Sequence, residues 1–95
     1  MTKEKLLSAL EQNEPSPIFS THEKALWLTH HDKWEKAHDL IQSEDDSLSS
    51  LIHGYLHHVE GDHWNGDYWY RRSGYVLPVD RDEHWDFIVE QVAGQ

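Results

Sequence analysis

The sequence predicts an all-α domain of about six helices, and three observations carry that expectation. Apolar residues recur at helical spacing in six stretches, and no stretch alternates with the period of two that a half-buried strand needs. Cap and stop residues stand between those stretches: Ser20 with Glu23, Asp80 with Glu83, and the glycines Gly61 and Gly74. Between these two glycines the aromatic residues Trp64, Tyr68, Trp69 and Tyr70 crowd one segment and point to both sides of a helix. A helix with aromatic bulk on both sides is normally packed on both sides, so this segment is expected to be the central helix.

Residues 2–11 read as the first helix, capped by Thr2, with Leu6, Leu7 and Leu10 in one narrow stripe that places it on the outside. Pro15 and Pro17 make residues 12–17 a linker, since each disfavours the α region for the residue before it. Ser20 and Glu23 form a capping box for a second helix over about 21–31, with His22, Ala25, Leu28 and Thr29 on one side and Trp27 on the other. Asp32 marks a break. Trp34, Ala37, His38 and Ile41 are in register on a third helix ending near 42.

The acidic connection 43–47 supplies a cap for a fourth helix, which reaches about residue 60 and is expected to bury Leu48, Leu51, Ile52, Tyr55 and Val59. The fifth helix follows from about Asp62 to Ser73. Residues 74–79 form an apolar loop expected to pack over a helix end. Asp80 with Glu83 then opens a last helix, 80–93, with Trp85, Ile88, Val89 and Val92 on one face.

Eighteen acidic against eight basic residues set a formal charge of −10, which argues against a general nucleic-acid binder or a binder of anionic membranes. There is no Cys, no apolar run long enough to span a bilayer and no signal-like N-terminus, so a cytoplasmic protein is expected. Nine histidines are the oddity of the composition. If all of them charged as pH fell through about 6.5, the net charge would move from −10 towards −1 near the sequence pI of 5.2.

Shifted by 29 residues, the chain matches Ala25 with Gly54, Ala37 with Gly66, Leu40 with Trp69 and Ile41 with Tyr70. Each copy is a helical hairpin, over about 21–42 and 47–73, with a terminal helix on either side. The small residues twelve apart, followed by a large apolar one, resemble the tetratricopeptide pattern, in which small side chains let two helices approach closely. Pro78 falls at that repeat's terminal proline, whereas its first Trp and Leu are absent.

The segment from Trp34 to Leu40 and the run from Tyr55 to Gly74 resemble a group of small uncharacterised all-helical proteins, whose signature "YLH…EGD…N…YWY.R.G" follows "W.KAH.L". The resemblance implies a helical fold and no particular activity. Gly66 and Ser73 stand where alanine is more usual in that group, which implies a slightly looser fifth helix.

Three constellations bear on chemistry. His53, His57 and Glu60 share a face of the fourth helix at spacings that suit a metal, but that face lies opposite the apolar stripe and reads as solvated surface, so no metal is expected. His38 sits beside Trp34 and Ile41 and reads as a core histidine bonded to a carbonyl or to Asp67. Arg71 and Arg72, beside Tyr68 and Trp69, suit a carboxylate or phosphate, or else neutralise the helix end and pair with acids.

The function expected is therefore a non-catalytic binding or scaffolding role towards a protein or peptide, with no cofactor and no catalytic residue. Trp64, Tyr68, Arg71, Arg72, His38 and Asp67 are its candidate binding residues. The competing class is a small histidine-based enzyme or metal-binding protein using His38, His53, His57 and Asp67.

Overall fold

In a computed structural model the chain forms α1 (Lys3–Leu10), α2 (Thr21–His30), α3 (Trp34–Ile41), α4 (Ser47–Val59), α5 (His63–Ser73) and α6 (His84–Ala93). It contains no strand, and no helix is long and apolar enough to cross a membrane. Local chemistry sets most helix ends. Thr2, Asp46 and Asp62 each accept the backbone N–H three residues on, and Ser20 with Glu23 makes the reciprocal capping box. Asp32 turns the chain out of α2 with φ 58°, and Gly61 and Gly74 stop α4 and α5 with φ 88° and 78°. Asp80 caps only a 3-10 turn at Arg81–Glu83, so α6 starts at His84, later than the capping-box pattern implied.

The tightest contact is between α4 and α5 at Gly54 and Gly66. A Cβ on Gly54 would lie 2.8 Å from the Gly66 carbonyl oxygen, and one on Gly66 would lie 2.9 Å from the Gly54 carbonyl oxygen. The backbones touch because neither residue has a side chain, so Gly66 is a packing requirement and not the source of looseness expected of it.

Packing also corrects other expectations. The central helix is α4, which contacts α2, α3, α5 and α6, whereas the backbone of α5 approaches α4 alone. The first helix does lie on the outside, with Glu4, Lys5 and Ser8 exposed, while Leu6 and Leu10 of its stripe are buried, α1 packs on α2 and α6, and Lys3 bonds Asp86 at 2.7 Å. Val59 is exposed, and in the 74–79 loop Tyr75 and Leu77 pack on the core while Val76 and Val79 face solvent.

The core joins Leu6 and Leu10 of α1 to Leu26, Ile41, Leu51, Ile52, Leu56, Ile88, Val89 and Val92. Polar contacts tie the elements together: the Trp27 indole donates to Gln12 O, the His31 ring to Leu10 O, and His22 meets Asp46, Ser49 and Gln95. This frame sets α3 and α5 against two different sides of α4.

Candidate functional site

His53 and His57 are one helical turn apart on α4 and share a face. α3 packs against that face and brings His38 to it, with His38 Nε2 3.1 Å from His53 Nε2. One ring nitrogen from each of the three histidines lies within 4.8 Å of those of the other two.

Aromatic walls hold the rings. Trp34 lies parallel to His38 at 4.8 Å and is anchored by its indole N–H, which donates to Leu56 O at 2.6 Å. Trp69, from α5, lies parallel to His53 at 4.0 Å. Glu60 accepts from His57 Nδ1 at 2.9 Å, which leaves Nε2 of that ring with its lone pair.

Burial favours the neutral form of two of the rings. Burial, followed by the charges of His38 and His57, pushes the His53 pKa down to about 4. Burial, then His57, lowers that of His38. A neutral imidazole carries a lone pair, so His38 and His53 are available as metal ligands at neutral pH. The 3.1 Å contact fits an N–H of one ring donating to the lone pair of the other.

This geometry overturns the reading of His53 and His57 as solvated surface. His53 is 5 % exposed and His57 is half-buried, because α4 is covered by helices on several sides. His38 pairs with His53 and not with a carbonyl or Asp67. Asp67 instead accepts from His58 Nε2 at 2.9 Å, and His58 Nδ1 meets His63 Nδ1 at 2.7 Å. His58 also stacks on Tyr70, whose pKa is driven up by burial and whose hydroxyl donates to His84 Nδ1, since His84 Nε2–H is committed to Pro78 O.

The outward side of α5 is a second candidate surface. Trp64 is 78 % and Tyr68 43 % exposed, and Asp67, Arg71 and Arg72 are exposed with them. Trp69 and Tyr70 turn inwards. Neither Arg71 nor Arg72 has a carboxylate within ion-pair distance, contrary to the pairing expected of them, and the Arg72 guanidinium lies 5.4 Å from the centre of the Trp69 ring.

Of the residues singled out from sequence, the fold gathers His38, His53 and His57 in one place, with Glu60 at its edge. It sets Trp64, Tyr68, Arg71, Arg72 and Asp67 in another. The walls Trp34 and Trp69 were not recognised as site residues. Ser49, Ser50 and Gly54 on α4 were the available sign, since small residues beside a histidine suit a helix with neighbours on several sides. No family model, curated protein or solved structure matches the chain.

Proposed function

We propose that the chain is a non-catalytic interaction module whose recognising surface is the outward face of α5 and whose partner is an acidic peptide or protein segment with an apolar anchor. The observation that supports it is the company on that face. Steps of about 100° per residue put residues 64, 68, 71 and 72 within about 100° of one another. Trp, Tyr and Arg are the residue types that dominate binding energy at protein interfaces. Here they are exposed together on a helix backed only by α4.

Charge selects the partner. Two arginines stay unpaired in a chain with eighteen acidic residues, so their complement is an external carboxylate. A second copy of the chain carries −10, more than a short acidic segment does, so long-range repulsion disfavours a second copy more strongly than such a segment as the occupant. The same charge disfavours nucleic acid and anionic membranes. The close approach at Gly54 and Gly66 supports the tetratricopeptide-like hairpin as part of this proposal.

The test is a nitrogen-15 spectrum of the chain titrated with a twelve-residue peptide of alternating Glu and Leu, against a Lys and Leu peptide of the same length. Shifts at the Trp64 indole and at Tyr68, Arg71 and Arg72, with the acidic peptide only and lost in Trp64→Ala, are expected. Shifts elsewhere, equal response to both peptides, no response to either, or concentration-dependent self-association through this face would each overturn the proposal.

A further inference from the structure

We propose that His38, His53 and His57 form a binding site for one divalent ion of the zinc, copper and nickel class, held between α3 and α4. No part of the interaction face on α5 contributes a ligand, so the site stands or falls separately from that surface.

The ligand set is three imidazoles with no carboxylate among them, which suits borderline transition metals over magnesium or calcium. Three imidazoles around an ion at about 2.0–2.1 Å have nitrogens about 3.3–3.6 Å apart. The nitrogens here lie 3.1 Å apart in the closest pair and within 4.8 Å overall, so small side-chain rotations bring them to ligating distance. Those rotations are limited and directed, because the rings sit on helices and two of them lie against indoles.

The hydrogen-bond inventory agrees. Nε2 of His38 and His53 bond only to each other, and the Nδ1 atoms of both rings make no protein hydrogen bond. An ion between the rings replaces that single weak link with coordination bonds. The proton shared between the two Nε2 atoms moves to Nδ1 of the same ring, a change of tautomer that releases no proton. Glu60 on Nδ1 of His57 supplies the carboxylate that commonly orients a ligating histidine and raises its basicity. Three protein ligands leave a coordination position to solvent.

Calorimetric titration of the chelator-treated full chain with zinc chloride tests the site. One equivalent with a Kd of about 1 µM or tighter is expected, unaffected by millimolar magnesium. His38→Gln and His57→Gln should each weaken binding at least about thirtyfold while far-ultraviolet circular dichroism stays unchanged. His53 is too buried for its replacement to be decisive, so imidazole resonances supply the second readout. Zinc should move those of His38, His53 and His57 together and leave His22, His30 and His63 in place.

Absence of binding below about 100 µM, wild-type affinity in both variants, or zinc-dependent shifts centred on His58 and His63 would each overturn the assignment. In any of these cases the three rings are packing groups of the aromatic cluster.

Discussion

The indole of Trp69 lies on the imidazole of His53, with ring centres 4.0 Å apart and planes 14° from parallel. Trp64, five residues earlier on the same helix, touches little and is largely exposed. The two tryptophans therefore separate stability from recognition. Trp69→Ala removes a half-buried ring from the α4–α5 contact and is expected to cost about 2–3 kcal/mol in a urea melt. Trp64→Ala should cost under about 0.5 kcal/mol. Equal losses would mean that the outer face of α5 is part of the core.

Gly54 and Gly66 give a second expectation, opposite in sign to helix propensity. Alanine in an exposed helix interior is better than glycine by about 1 kcal/mol. At either position, however, the added methyl meets the facing carbonyl oxygen under 3 Å away, and backbone cannot yield as a side-chain tip can. Gly54→Ala and Gly66→Ala should each destabilise by about 1–3 kcal/mol through helix separation. Thermal melts check this, and an unchanged or higher Tm would show that the hairpin relaxes freely.

Where the sequence was legible, the determinant was local. Ser20 with Glu23, Asp46, Asp62, Gly61 and Gly74 act within one helical turn of where they stand, and helix ends followed from them. Asp80 and Glu83 share the capping spacing, yet Asp80 caps a 3-10 turn, since one carboxylate serves either geometry. The rank of α4 and α5 was not legible, because aromatic residues on both sides of a helix mark either two packed faces or one packed and one free. Nor was the histidine cluster. His38 and His53 lie fifteen residues apart, and only the docking of α3 on α4 sets their separation in space.

Acid pH should affect solubility less than composition alone suggests. Burial lowers the pKa of His53 to about 4 and also lowers those of His38 and His58, the last despite the opposing Asp67. Near pH 5.2 the His53 ring therefore stays largely neutral in the metal-free chain, and His38 and His58 take up a proton less readily than free imidazoles. The net charge at pH 5.2 is then more negative than the −1 that protonation of all nine rings would leave. Light scattering should show a clear solution at pH 5.2 and a solubility minimum below it; precipitation centred on 5.2 would mean that all nine rings titrate freely.

Asp46 links pH to stability in the usual carboxylate direction. Burial raises its pKa, but the Ser49 hydroxyl and amide and the His22 ring together outweigh that and hold it below the ordinary value. A carboxyl with a depressed folded pKa stabilises fully above the unfolded value of 3.8, and that contribution is lost as pH falls through the folded value. Asp46→Ala, which also removes the α4 cap, should cost about 1 kcal/mol at pH 7. The gap from wild type should narrow in melts below pH 4, and a gap constant down to pH 2 would show that the carboxylate charge contributes nothing.

Arg71 and Arg72 offer the sharpest separation of fold from recognition. Neither makes an ion pair within the chain, so reversing both charges breaks no internal contact except the guanidinium of Arg72 over Trp69. Arg71→Glu with Arg72→Glu should lower Tm by no more than the few degrees that about 1 kcal/mol represents for a domain of this size, the helix C-terminus included. Binding of the acidic peptide, by contrast, should fall at least tenfold, because two attractive charges become repulsive. Replacing both by Lys keeps the charge and removes the planar fork, and should give an intermediate affinity that weakens more steeply with salt. If the Glu variant binds as wild type does, charge plays no part in recognition, and Trp64 and Tyr68 alone would have to account for it.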